Sequence, residues 1–135
     1  MTSLPHASEG DLGAMFAMAV PLAIPDATAF RRTIIRGKMA AGWYARANLP
    51  GQADYWVLVK GGLHVEVETK AAAESGNKAV RKAQEEWRLF CVSQEIPYMR
   101  PKALRGEDPN ETVRRWVDEL RVLIEARLTL DRPRA

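Results

Sequence analysis

Residues 53–70 read Ala53-Asp54-Tyr55-Trp56-Val57-Leu58-Val59-Lys60-Gly61-Gly62-Leu63-His64-Val65-Glu66-Val67-Glu68-Thr69-Lys70. Two alternating runs flank Gly61-Gly62, the pattern of a β-hairpin. Its register decides what each face carries. A two-residue Gly-Gly loop would pair Lys60 with Leu63. That would mix Tyr55, Val57 and Val59 with His64, Glu66 and Glu68. A three-residue loop, Lys60-Gly61-Gly62, pairs Val59 with Leu63 instead. Tyr55, Val57, Val59, Leu63, Val65 and Val67 then share one apolar face. A slip of one residue exposes a whole hydrophobic set, so the three-residue loop is expected. Three-residue hairpins favour a glycine at their left-handed position, which Gly61 or Gly62 supplies. The opposite face then holds Asp54, Trp56, Leu58, His64, Glu66, Glu68 and Lys70, with Asp54 directly across from Glu68.

That pairing carries chemistry. Two carboxylates on neighbouring strands repel unless a cation sits between them, or one of them takes up a proton. Mg²⁺ accepts a few carboxylate oxygens and keeps waters for a phosphate-bearing substrate. Lys70 projects beside the pair, where an ammonium can position a water or neutralise developing charge. Carboxylates, cation and lysine together suit phosphodiester hydrolysis. An ordinary antiparallel strand with a solvated polar face would also read His-Glu-Glu-Lys.

Working outward, residues 26–39 predict a helix. Asp26 is its N-cap, and Phe30, Ile34, Ile35 and Met39 keep helical spacing. Residues 43–46 predict a strand, and Asn48, Pro50 and Gly51 a loop. Residues 78–94 predict a helix with an apolar stripe of Val80, Ala83, Trp87, Phe90 and Cys91. Residues 96–99 predict a short strand that Pro97 confines to an edge or a strand start. Asp108-Pro109-Asn110-Glu111 opens a last helix, with Asp as N-cap and Pro at the first position. Val113, Trp116, Val117, Leu120, Leu123 and Ile124 give it an apolar face, and it should end before Pro133. The element order is that of an α/β layered fold.

The chain has 135 residues and a formal net charge of +3, a size that suits one domain. Its single cysteine, Cys91, excludes an intramolecular disulfide and a cysteine-based zinc finger. Only His6 and His64 are available to a histidine-rich metal site. The apolar run from Leu12 to Pro25 is broken by Pro21 and is too short to span a bilayer. Acids, not bases, precede it, unlike a secretory signal. A soluble, intracellular protein without membrane contact is expected. The run would form a short helix on the core or an oligomer contact within an N-terminal extension, residues 1–25. Charge is segregated: residues 1–29 sum to −3 and residues 30–50 to +5. Arg31, Arg32, Arg36, Lys38 and Arg46 are therefore candidate phosphate contacts, or else a solvated face.

Gly51-Gln52-Ala53-Asp54, the Gly61-Gly62 turn, Glu68-Thr69-Lys70 and Gln84 resemble the virus-type replication-repair nuclease (VRR-NUC) family of the PD-(D/E)XK superfamily. Residues Trp87 to Tyr98 and Glu111 to Trp116 resemble its small phage and prophage members. The resemblance spans residues 30–125. It implies a restriction-endonuclease-like core, a small mixed sheet with an antiparallel hairpin flanked by helices, in one domain over residues 1–135. It implies a DNA endonuclease using Mg²⁺ or Mn²⁺, selective for branched or flapped DNA, and a symmetric homodimer. Asp54 and Glu68 would ligate the metal, with the Thr69 carbonyl as a further ligand. Lys70 would be the catalytic lysine and Gln84 would orient the site. Lys78, Arg81 and Lys82 would lie on a loop, residues 71–82, over the DNA. Glu66 reads as an acid supporting the site from behind or, the preferred reading, as a solvated strand residue, and His64 as surface. The superfamily places an acid on its first helix, and residues 30–39 contain none. Glu9, Asp11 or Asp26 would have to substitute, and an unfilled position would leave a non-catalytic nucleic-acid-binding module. A small interaction protein of a mobile element is the remaining alternative.

Overall fold

A computed structural model describes residues 8–32, 36–38, 44–46, 51–73 and 78–131. The chain folds as a mixed α/β structure with three helices and a four-stranded mixed sheet. In chain order the elements are α1 (Glu9–Ala23), β1 (Ala27–Arg31), β2 (Arg36–Lys38), β3 (Tyr44–Arg46), β4 (Tyr55–Val59), β5 (Leu63–Val67), α2 (Lys78–Ser93), β6 (Tyr98–Met99) and α3 (Pro109–Asp131). The main sheet runs β1-β4-β5-β6, and β2 and β3 form a separate antiparallel pair. β1 and β5 are each antiparallel to β4, and β6 is parallel to β5.

The hairpin has the expected register. Val59 faces Leu63 and Tyr55 faces Val67. The Gly62 N–H donates to the Val59 carbonyl at 3.0 Å, and both turn glycines have φ near +100°. Tyr55, Val57, Val59, Val65 and Val67 are buried on one face, as the alternation requires. β6 is an edge strand of two residues beginning just after Pro97.

The predicted helix over residues 26–39 does not form in its described part. Asp26 sits at φ 66° in a turn, and its carbonyl accepts the Lys60 N–H at 2.8 Å. Ala27 to Arg31 instead pair with Val59 to Tyr55. The local spacing satisfies a helix, but β4 is a central strand whose second edge needs backbone partners. Non-local pairing overrides local propensity here. Ile34, Ile35 and Met39 lie outside the described residues.

The first helix is the apolar run instead. Ser8 caps it by accepting the Asp11 N–H at 3.1 Å. Its Leu12, Phe16 and Val20 stripe joins the core. Gly13 lies so close to β4 that a Cβ there would sit 2.4 Å from the Tyr55 hydroxyl. α3 completes this layer with Val113, Trp116, Val117, Leu120 and Ile124. Phe16 stands edge-on to both Tyr55 and Trp116, centroids 6.5 and 6.2 Å apart. Burial of these rings and aliphatic chains contributes about 1.5–3 kcal/mol per side chain.

α2 lies on the opposite, polar face. Its predicted stripe is only partly used: Cys91 is buried, Trp87 is half-buried, and Val80 and Phe90 are exposed. The reason is that α2 meets the sheet through polar groups of Gln84 and Trp87. Among the described residues, no helix is long and apolar enough to cross a membrane.

Candidate metal centre

The site is assembled where β4, β5, α1 and α2 converge. Extending the hairpin register one step sets Asp54 beside Glu68, and the Asp54 N–H donates to Glu68 Oε2 at 3.2 Å. Glu9, in the first turn of α1, completes the group. Carboxylate oxygens of Glu9, Asp54 and Glu68 lie within 4.8 Å of one another. Glu68 is buried, and Glu9 and Asp54 are half-buried. Glu9 is an acid in the first turn of the first helix, one of the three that could stand in for the acid that residues 30–39 lack. Sequence reasoning named it only as one of three substitutes. The signal was there: Glu9 extends the Leu12, Gly13 and Phe16 stripe by one turn, so it faces the sheet.

Three carboxylates at this separation disfavour full ionisation. Burial and the charge of Asp54 push Glu68 up to about 7. Burial, then Asp54, raises Glu9, and burial raises Asp54 against the lowering pull of Lys70. The Thr69 hydroxyl, buried beside them, donates to Asp54 Oδ2 at 3.4 Å.

Lys70 and Gln84 are brought to the same point. Lys70 Nζ donates to Gln84 Oε1 at 2.7 Å and lies 3.3 Å from Glu68 Oε1. Gln84 Nε2 donates to Glu68 Oε1 at 2.8 Å. The amide therefore accepts from the lysine and donates to the carboxylate, which fixes both orientations. Gly51 makes this closeness possible. Its φ is +80°, and a Cβ there would fall 2.2 Å from the Ala83 carbonyl and 2.7 Å from the Gln84 nitrogen. The loop leading to Asp54 can press on α2 at Gln84 only with glycine at that position.

Glu66 is not the solvated strand residue expected. It is fully buried. Arg32 grips it through two hydrogen bonds, Nη1 to Oε1 at 2.7 Å and Nη2 to Oε2 at 3.1 Å. Trp87 Nε1 donates to Oε1 at 3.1 Å, and the His64 ring is 2.5 Å from Oε2. α2 covers this face of β5, so the polar side of the strand is interior. His64 remains partly exposed, as expected, and stacks on Trp56.

The predicted phosphate contacts divide. Arg32 is turned inward: besides Glu66, its Nη1 donates to the Ala53 carbonyl at 2.9 Å, and its N–H donates to the Asp54 carbonyl at 2.7 Å. It braces the strand that carries Asp54, its guanidinium taken up by Glu66 and the Ala53 carbonyl and not turned out as the expected phosphate contact. Arg31 is exposed and lines a hollow with Glu9, Asp54 and Thr69. Lys78, Arg81 and Lys82 are exposed, but they stand on the first turns of α2, not on a loop. The helix reaches back to Lys78, leaving residues 71–77 as the connection; residues 74–77 lie outside the described ones. The side chains of Arg36, Lys38 and Arg46 also lie outside what the structure describes.

The donor set fits a hard divalent cation: oxygen ligands, net negative charge, and partial burial that leaves room for waters. No protein-family model matches the chain, and no curated protein or solved structure does either.

Proposed function

We propose that the chain is a divalent-metal-dependent nuclease with a PD-(D/E)XK-type core, hydrolysing phosphodiester bonds of DNA. The observation that carries this reading is the convergence of Glu9, Asp54 and Glu68 within 4.8 Å, with Lys70 Nζ 3.3 Å from Glu68. Glu9, Asp54 and Glu68 would hold Mg²⁺ or Mn²⁺, with the Thr69 carbonyl as a further ligand. When bound, such a cation supplies Lewis-acid activation of a phosphodiester and of water. The protein's own part follows from its contacts. Gln84 holds Lys70 and Glu68 in fixed relation, so the ammonium is pre-oriented toward negative charge that develops on the substrate. Arg31 borders the same hollow and offers a second cation to phosphate. Glu9 beside Asp54 and Glu68 supports the catalytic reading over a non-catalytic binding module. The family resemblance extends the reading to branched or flapped DNA, to a homodimer and to an intracellular, phage-type setting.

The test is cleavage of labelled linear, flapped, splayed and four-way DNA in Mg²⁺, Mn²⁺ or EDTA. Wild type should cut only with metal. Lys70→Ala and Glu9→Gln should each lose at least about 100-fold in rate, the size expected for a positioned charged group. Full activity in either variant, or none in wild type on every substrate, overturns the reading.

A further inference from the structure

The pairing of β5 with β6 continues past β6. The Lys70 N–H donates to the Pro101 carbonyl and the Ala103 N–H to the Lys70 carbonyl, both at 2.9 Å. Met99, Pro101 and Ala103 are buried on the core side. Strand alternation then sets Arg100 and Lys102 on the face that carries Glu68 and Lys70. With Lys70 and Arg81 they line a cavity of about 390 Å³. Its acids are Glu9 and Glu85, and Glu85 is 3.8 Å from Arg100. A second hollow, about 620 Å³, is lined by Glu9, Arg31, Arg32, Asp54 and Thr69. Glu9 lines both hollows, so the acidic group borders each of them. The cations are unequally shared. Four stand on the Arg100 side. The second hollow has Arg31 and Arg32, and Arg32 is paired with Glu66.

Resting on the nuclease reading, we infer that Arg81, Arg100 and Lys102 form a seat for the phosphate next to the one attacked. A nucleic-acid strand at the acidic group would then place one neighbouring phosphate in this cavity. The ligand chemistry is a phosphate group on that strand, either an internal diester or a terminal monoester.

The experiment compares wild type with Arg100→Gln/Lys102→Gln, neither residue being part of the carboxylate group. Binding of a labelled single-stranded oligonucleotide is measured with Ca²⁺ in place of Mg²⁺, with thermal melting as the folding control. The variant should melt like wild type and bind at least about fivefold more weakly. Its slope of log K against log salt should fall by about 0.7 for one lost phosphate contact. Oligonucleotides with 5′-phosphate, 3′-phosphate or hydroxyl ends, and with single neutral methylphosphonate linkages, separate the two sources. Wild type should respond to one of these changes, and the variant should lose that response. Unchanged affinity and salt slope in the variant overturn the seat, as does a wild type that binds no oligonucleotide. Cleavage is scored separately. A wild type that binds through the seat but never cuts sinks the nuclease reading alone.

Discussion

At the scale of single residues, Arg32 and Glu66 show what a strand pattern leaves unsaid. Both are charged and both lie on the polar face, yet Glu66 is wholly buried and Arg32 nearly so. Alternation tells which face a residue is on, but not whether a helix covers that face. Asp54, Glu68 and Lys70 were legible because a period of two fixes register and register fixes neighbours. The burial of Glu66 was not, since Arg32, just after β1, and Trp87 of α2 are 34 and 21 residues away. Removing one partner of a buried pair strands the other charge. Arg32→Ala should therefore cost about 3 kcal/mol, read by urea unfolding. The double variant Arg32→Met/Glu66→Gln should recover most of that loss, because it leaves no uncompensated charge. If Arg32 served a phosphate instead, its loss would leave the urea midpoint unchanged.

At the scale of elements, the hairpin, α2, the edge strand and α3 follow from periodicity and caps, whereas the helix predicted over residues 26–39 gives way to β1. Its capping and spacing signals were all local, and the competing partner, β4, begins 24 residues after Arg31. α3 owes its seat to a contact that no periodicity reveals. Glu107, just before it, accepts from Arg115 Nε at 3.1 Å and Nη2 at 2.9 Å, and from the Thr112 hydroxyl at 2.7 Å. It also accepts the Leu104 N–H at 3.2 Å, which ties the loop after β6 to the helix. These donors, Arg115 first, hold the Glu107 carboxyl down at about 2, from an ordinary 4.5. The ionised form is thus favoured in the folded state. Its contribution is complete above pH 4.5 and is lost as pH falls from 4.5 toward 2. Glu107→Gln should lower stability at neutral pH, and its difference from wild type should shrink to nothing across that interval. Urea midpoints measured from pH 7 to pH 2 check this.

At the scale of the whole molecule, the candidate centre is a meeting of distant segments. Glu9 opens the first helix, Asp54 and Glu68 flank the hairpin, and Gln84 comes from α2. The motif in the middle of the chain was readable. Glu9 carries no motif, only its place on a helical face. Three carboxylates held together without a cation oppose folding, so a divalent ion should stabilise the protein by mass action. Mg²⁺ or Mn²⁺ at a hundredfold excess over Kd should add about 2.7 kcal/mol, seen as a rise in Tm. Glu9→Gln should need more metal for the same rise, and a variant that melts with the wild-type metal dependence would remove Glu9 from the centre. The approach of Gly13 to Tyr55 bears on this. Glu9 is carried by a helix whose position is set in the apolar interior, by Leu12, Phe16 and Val20, and by the absence of a side chain at residue 13. The core thus acts as a ruler for the bite of the carboxylates. If the carboxylates hold a cation, a side chain at residue 13 that pushes the helix off the sheet should weaken metal binding as well as the core.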